Sequence, residues 1–143
     1  MAGCSVFETS WQEHEADLIN IRQTVFVIGQ DVPKQDEWDG LDEQARHLLV
    51  VQEDEICGCA RILDEGNALH LGRVAVLEQW RGQGLGKLLV ATTINIAQAG
   101  EYKFLVLDAQ CSALEFYANF GFQVEGDEFM DAGIWHRHMK LVL

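Results

Sequence analysis

Residues 74–87 read V-A-V-L-E-Q-W-R-G-Q-G-L-G-K, and this stretch is the most informative part of the sequence. Three glycines, at positions 82, 84 and 86, lie between an apolar strand and an amphipathic helix. Glycine lets the backbone turn sharply and approach a ligand closely, and the free N–H groups at the start of the helix favour a negatively charged group. Arg81 and Lys87 add positive charge. The stretch therefore predicts a cradle for a diphosphate.

Two nucleotide-binding motifs do not fit this spacing. A P-loop needs glycine at position 81 and serine or threonine at position 88, where this chain has Arg81 and Leu88. A dinucleotide fingerprint needs G-x-G-x-x-G, whereas Gly82, Gly84 and Gly86 give G-x-G-x-G. A tight turn without a ligand stays open as an alternative, because a glycine cluster alone is a weak signal.

The apolar periodicity around this stretch predicts alternating short strands and helices. Strands are expected at residues 5–8, 47–52, 56–63, 69–76, 104–107, 122–124 and 134–141, and helices at residues 13–28, 84–99 and 113–120. The strands at 69–76 and 104–107 flank one helix, so their connection should be a right-handed crossover with the two strands parallel. The rest of the sheet should be mostly antiparallel, which gives an α/β (α+β) fold class.

Length and composition are those of one globular domain spanning residues 1–143. The net charge is −13, from 10 basic and 23 acidic side chains. Such a surface disfavours nucleic acid and anionic membranes and favours a cationic partner, or it only keeps the protein in solution. The N-terminal residues show no basic region followed by an apolar stretch, which predicts a cytoplasmic protein. The four cysteines lack metal-binding spacing, so free thiols and no metal are expected.

Residues 81–86 resemble the R-x-x-G-x-G signature of the GNAT superfamily of acetyltransferases, and several further blocks are similar to its ElaA and YjcF branch. These blocks are R-x-x-V-F-V at 22–27 with Gln30, D-G-L-D-E-Q-A-R-H-L-L at 39–49, G-C-A-R at 58–61, G-R-V-A-V at 72–76, Ala109-Gln110, F-Y-x-x-x-G-F at 116–122, and residues 129–139. The resemblance covers nearly the whole chain. It implies the GNAT fold, a mixed and splayed central sheet of six or seven strands flanked by about four helices.

In that family the glycine loop holds the pyrophosphate of acetyl-CoA, and the preceding strand pairs with its pantetheine arm. The resemblance therefore implies that acetyl-CoA, the co-substrate, is bound by Val74, Ala75, Val76, Arg81, Gly82, Gln83, Gly84, Leu85, Gly86 and Lys87. Acetyl-CoA should enter where the strands at 69–76 and 104–107 separate.

The implied activity is transfer of an acetyl group to a primary amine by direct attack. The acceptor would be a small-molecule or peptide amine, and small members of the family often form homodimers. Two alternatives remain: a non-catalytic acyl-CoA sensor of the same fold, and an interaction protein whose glycine loop is only a turn. The sensor would need neither of the catalytic side chains described next.

Tyr117 and His136 are the candidate catalytic residues. Tyr117 stands where related enzymes carry a tyrosine near the CoA sulfur, so its hydroxyl could protonate the departing thiolate. His136 belongs to a late H-x-x-M block in which a similar histidine of the related glyphosate N-acetyltransferase is the base. A packing aromatic and a structural histidine are the alternative interpretations. His47 and His70 are weaker candidates, and His14 is expected at the surface.

Residues 31–43, which we name the acidic loop, contain six acids, one lysine and Trp38. Carboxylates attract an ammonium group and an indole can stack on one, so the loop could line the acceptor entrance. A solvated acidic face is the simpler interpretation. Two departures from the branch pattern lie near the expected acceptor site: Gly29 replaces the usual glutamate, and Trp135 replaces the usual proline.

Overall fold

The computed structural model describes residues 3–143 and contains seven strands. They are β1 (Cys4–Thr9), β2 (Arg46–Gln52), β3 (Glu55–Asp64), β4 (Ala68–Val76), β5 (Phe104–Gln110), β6 (Gln123–Asp131) and β7 (Ile134–Val142). The helices are α1 (Trp11–Arg22), α2 (Lys34–Glu37), α3 (Leu85–Ala99) and α4 (Leu114–Ala118). The predicted element order is confirmed, and α2 is a short addition within the acidic loop.

The strands form one mixed sheet in the order β1-β2-β3-β4-β5-β7-β6. Only β4 and β5 pair in parallel, as the crossover through α3 predicts, and the other neighbours are antiparallel. The expected mixed, splayed sheet and its four flanking helices are thus confirmed.

Each face of the sheet buries its own apolar cluster. One cluster joins α3 to the central strands and includes Leu69, Leu89 and Leu105, all fully buried. The other joins α1 to the opposite face and includes Leu18, Leu49 and Cys59. Because successive strand residues point to opposite faces, β2–β4 can supply both clusters at once.

Helix α1 begins where Ser10 caps it, since the Ser10 hydroxyl accepts a hydrogen bond from the Glu13 N–H at 3.2 Å. The predicted single helix over 13–28 is in fact α1 followed by a π-helical segment, Gln23–Ile28. Both Val25 and Phe26 of that segment are buried. The apolar periodicity of the sequence does not distinguish a π-helical turn from an α-helical one.

Strand β5 extends to Gln110, three residues beyond the predicted end at 107. The predicted strand ended before Asp108, because that residue ends the apolar run. The strand continues because Ala109 returns to the core, whereas Asp108 makes hydrogen bonds on the other face. Strand β6 runs to Asp131 although it is mostly exposed, since it is held by backbone pairing with β7. Over residues 3–143, no helix combines the length and hydropathy needed to cross a membrane.

Candidate active site

The sheet opens between β4 and β5. Their parallel pairing ends at Leu71 and Leu107, while β4 continues beside β3 up to Val76. The N–H of Leu77 donates to the carbonyl of Cys57, so alternation along the ladder turns the main-chain groups of Val76 away from β3, into the opening. Arg81 Nε donates to that Val76 carbonyl at 2.9 Å.

A bulge in β4 explains why the two strands separate. Arg61 lies opposite Gly72, and Cys59 lies opposite Ala75, so three steps along β4 match two along β3. The extra residue gives Arg73 a positive φ of 51°. Bulges bend a strand and increase its local twist, and this one lies directly after the last residue that pairs with β5.

The glycine loop leads from this opening into α3. Gly82 and Gly84 have φ values of 79° and 80°, which side chains other than glycine rarely adopt. Gly84 is the N-cap of α3 and offers no side chain to the first-turn N–H groups, which have no helical partner of their own. Those N–H groups are therefore available to a phosphate.

Gly86 differs from its two neighbours. Its φ is ordinary, and a Cβ placed there would meet only the Phe116 ring, at 3.5 Å, which is normal contact. Neither the backbone nor the packing of the fold therefore requires glycine at this position. A ligand that approaches the start of α3 closely would require it.

The predicted cofactor residues divide by exposure. Arg81, Gly82, Gln83 and Gly84 are exposed around the loop, as is Lys87 on α3. Leu85 is buried in the α3 core and Ala75 in the α1 core, so these two can offer a ligand only main-chain groups. Because main-chain groups alternate along the ladder, the main-chain groups of Ala75 point toward β3. The main-chain groups of Val74 and Val76 therefore form the exposed edge of β4.

A cleft of about 450 Å³ lies at the opening, and both candidate catalytic residues line it. Tyr117 comes from α4 and His136 from β7. Val74 of β4 and Asp36 of the acidic loop also line the cleft. Side chains that are 19 or more residues apart in the sequence are thereby brought to one site.

Tyr117 is held by aromatic neighbours. Its ring packs edge-on against Phe116 and Phe122, with centroid distances of 5.0 and 6.0 Å. Burial raises the pKa of Tyr117 to about 12, because a phenolate would lose its hydration in this environment. The hydroxyl therefore keeps its proton at neutral pH and can act as a donor.

His136 is oriented by its own strand. Its Nδ1 lies 2.7 Å from the carbonyl oxygen of Ile134, so Nδ1 must carry the hydrogen, and in the neutral ring Nε2 then has the free lone pair. Phe129 stacks on the ring at 5.8 Å. This arrangement suits proton removal by Nε2.

The acidic loop is solvated only in part: four of its six acids are exposed, as a solvated face predicts, but two are buried. Glu37 and Asp42 are buried, at 2% and 6% exposure, and both bond to the fully buried Arg22. Arg61 pairs with Asp39 at 2.9 Å. The carboxylates of Glu37 and Asp39 thus already have cationic partners. Asp36, which lies next to Glu37, stays exposed without an ion pair in the described chain.

Trp38 is also engaged within the protein. Its ring lies 4.8 Å from the Arg22 guanidinium, and Trp11 approaches the same group from 5.8 Å. Trp38 therefore already contacts a cation within the protein, and its stacking on an acceptor ammonium stays a prediction.

Several cleft residues received no role from the sequence. Gln30 and Gln110 received none although both lie in blocks that resemble the family. Their side chains bridge the cleft through a hydrogen bond of 2.8 Å. Asp108 lies on the cleft wall 3.4 Å from His70, which the sequence had named as a weaker candidate, and the one signal for Asp108 was that it interrupts an apolar run. Arg73 lies in the block at 72–76 that resembles the family, but no sequence pattern signals its bulge, because a bulge depends on the neighbouring strand.

The other histidines have structural partners. His47 is buried, with Nε2 2.9 Å from the Asp42 carbonyl, and burial lowers its pKa. His14 bonds to Thr9 beside the start of α1. His70 lies in a strand as predicted, between Glu65 and Asp108.

Comparison with known proteins agrees with this geometry. The Acetyltransferase (GNAT) domain family matches residues 21–143. The chain is 32% identical to the N-acetyltransferase YjcF of Bacillus subtilis over 129 residues, covering 90% of this chain and 92% of YjcF. It is 35% identical to ElaA of Escherichia coli over 124 residues, covering 83% of this chain and 81% of ElaA. An acyl-CoA N-acyltransferase structure from Pseudomonas aeruginosa superposes with a TM-score of 0.86 at 26% identity, covering 96% and 98% of the two chains.

The chain belongs to the GNAT family of acetyltransferases. Within that family it fits the branch that contains ElaA and YjcF, as the sequence blocks predicted.

Proposed function

We propose that the protein is an N-acetyltransferase that moves the acetyl group of acetyl-CoA to a primary amine by direct attack. The observation that supports this most is the convergence of Tyr117 and His136 on one cleft, at the point where β4 and β5 separate. A sensor would need the opening and the glycine loop, but it would need neither side chain.

Each residue has a defined task in this proposal. His136 Nε2 removes a proton from the acceptor ammonium, so that the neutral amine can attack the acetyl carbonyl carbon. The new C–N bond forms as the C–S bond breaks, and Tyr117 donates its proton to the departing thiolate. The acylated nitrogen then loses its excess proton, directly or through water, to the Tyr117 phenolate, which leaves a neutral amide and the CoA thiol. The Val76 N–H, turned into the opening, would stabilise negative charge on the carbonyl oxygen. Acetyl-CoA supplies the activated acetyl group and the thiolate leaving group.

The residues on the cofactor side suit a pyrophosphate and a pantetheine arm. The unpaired first-turn N–H groups of α3 would bind phosphate oxygens, with Lys87 adding charge. The exposed edge of β4 would accept the amide groups of pantetheine as an additional strand would. Arg81 holds the end of that edge through the Val76 carbonyl.

The test is calorimetric titration with acetyl-CoA and with free CoA, followed by a panel of primary amines assayed for released thiol. We expect micromolar binding of both forms and thiol release with at least one amine. The isosteric variant Tyr117→Phe should bind acetyl-CoA as the wild type does but release thiol far more slowly. Binding with no release for any amine would favour the sensor, and no binding would remove the cofactor assignment altogether.

A further inference from the structure

Arg73 has a backbone conformation that its own side chain does not favour. It is the extra residue of the β4 bulge, with φ at 51°. A non-glycine residue keeps such a conformation only when its surroundings hold it there, and residues of this kind cluster at functional sites. The contacts that hold Arg73 therefore identify what its conformation serves.

The contacts of its guanidinium all lie in the acidic loop, whereas its carbonyl oxygen accepts a contact from the Cys59 thiol at 3.6 Å. Arg73 Nε donates to Glu37 Oε2 at 2.8 Å, and Nη2 donates to the Glu37 carbonyl at 3.0 Å and to Asp39 Oδ2 at 3.3 Å. A weaker contact joins Nη2 to the Asp36 carbonyl at 3.3 Å. The guanidinium thus binds main-chain and side-chain atoms of three loop residues at once.

Glu37 extends this connection to α1. The same Oε2 atom that accepts from Arg73 also accepts from Arg22 Nε, at 2.8 Å. Arg22 is fully buried between Trp11 and Trp38. One buried carboxylate oxygen therefore joins β4, the acidic loop and α1.

The other side of Arg73 is the cofactor edge. The next three residues, 74–76, belong to the part of β4 that is free of β5. A ligand strand that pairs with this edge would restrict the bulge, and the Arg73 guanidinium would transmit the restriction to the loop that lines the cleft.

We propose that Arg73 is a positioning residue that couples acetyl-CoA binding on β4 to the order of the acidic loop on the acceptor side. The inference rests on the proposed function, because acetyl-CoA is the ligand that acts on the edge. In this proposal the Arg73 guanidinium holds the acidic loop and does not bind the acceptor.

Hydrogen–deuterium exchange of the full chain, with and without acetyl-CoA, tests the coupling. In the wild type, acetyl-CoA should slow exchange both in residues 82–88 and in residues 31–43. In Arg73→Ala, protection of 82–88 should remain and the ligand-dependent protection of 31–43 should be lost. The difference between bound and free protein is the readout, since a purely structural role would change exchange in the free state alone.

The control is Arg46→Ala. Arg46 forms an Arg–Glu pair with the same 2.8 Å distance, with Glu8, but the pair is exposed and does not line the cleft. This variant should keep both protected segments. Because coupling is reciprocal, Arg73→Ala should also bind acetyl-CoA roughly fivefold or more weakly, and Arg46→Ala should not.

Two further variants separate the guanidinium from the backbone. Arg73→Gly can adopt the positive φ without strain but has no guanidinium, so it should lose the loop protection as Arg73→Ala does. Arg73→Lys keeps a charged donor and should retain part of it. Loop protection that persists in both Arg73→Ala and Arg73→Gly would overturn the inference, as would a wild type protected only at 82–88. A wild type with no protection anywhere would instead contradict acetyl-CoA binding, and with it the proposed function.

Discussion

The glycine loop, which follows β4, and the acidic loop, which Arg73 of β4 contacts, are built in opposite ways. The glycine loop, residues 82–86, is mostly exposed and leaves helix N–H groups without protein partners. The acidic loop, residues 31–43, has its buried carboxylates bonded to three arginines from other elements. The first is an open surface with free N–H groups, whereas the second is a fixed wall whose buried carboxylates are compensated by arginines. Binding and positioning are thus assigned to different regions of one site.

The largest expected effect concerns the fixed wall. Arg22→Ala should lower the free energy of unfolding by about 3–5 kcal/mol, because it leaves Glu37 and Asp42 buried without their partner. Urea denaturation measures the change. The exposed pair of Arg46 and Glu8 is the control, and Arg46→Ala should cost about 1 kcal/mol or less. Equal losses in the two variants would mean that the wall is no more rigid than an ordinary surface.

Tyr117→Phe should affect turnover and leave folding intact. If the hydroxyl protonates the thiolate, kcat should fall by about a hundredfold or more, while the dissociation constant of acetyl-CoA changes little. Tyr102→Phe is the control, since that exposed hydroxyl bonds to Asp64 away from the cleft. A kcat within a factor of about two of the wild type would remove Tyr117 from the mechanism.

Gly86→Ala should separate ligand binding from folding within the glycine loop. Alanine is favoured over glycine inside a helix by about 1 kcal/mol, and the new Cβ meets only Phe116, so stability should be kept or rise. Acetyl-CoA affinity should nonetheless fall by about tenfold, because the methyl group occupies ligand space.

Gly84→Ala provides the contrast. At φ of 80° an added Cβ is strained, so this variant should lose roughly 1–2 kcal/mol of stability. Thermal unfolding and calorimetry together distinguish the two variants. If Gly86→Ala binds acetyl-CoA as tightly as the wild type, acetyl-CoA does not bind at the glycine loop.

The smallest effect is a pH dependence on the cleft wall. The hydrogen bond to Asp108 raises the pKa of His70, with Glu65 adding to it, and the same contact lowers the pKa of Asp108. The stability contributed by His70 is therefore fully present below its unfolded pKa of about 6.5 and is lost as the pH rises through its higher folded pKa. The stability contributed by Asp108 is present above its unfolded pKa and is lost as the pH falls through its lower folded pKa.

The variant His70→Gln measures this contribution. The stability difference between wild type and variant should be about 1 kcal/mol at pH 6 and should shrink toward pH 9, as followed by urea denaturation. A difference that is constant across this range would mean that the His70 charge contributes nothing to the wall.

The sequence predicted the structure around the glycine loop much better than that of the acidic loop, for a physical reason. Glycine spacing, a strand before it and an amphipathic helix after it are local patterns, so residues 69–99 were predicted almost to their ends. The arginine contacts that define the acidic loop join residues 15–37 positions apart, and no local pattern records them. The loop therefore looked like a solvated acidic face.

The sequence predicted the two catalytic candidates less directly than the glycine loop but more directly than the contacts of the acidic loop. Tyr117 and His136 were found through family resemblance, since a tyrosine among phenylalanines and a histidine on a strand have structural explanations of their own. Their convergence on one cleft follows from the order β5-β7 in the sheet, with α4 directly after β5. Neighbouring cleft residues such as Gln110 and Asp108 follow from the same pairing, because each lies opposite a histidine of β7.

The most direct test of the central claim is mass spectrometry of the products formed from acetyl-CoA and the amine panel, with His136→Ala and Tyr117→Phe measured alongside the wild type. We predict free CoA and an N-acetylated amine in equal amounts from the wild type, and strongly reduced amounts of both from each variant. Acetyl-CoA that binds but is never converted, or CoA released without an acetylated amine, would contradict N-acetyl transfer at this cleft.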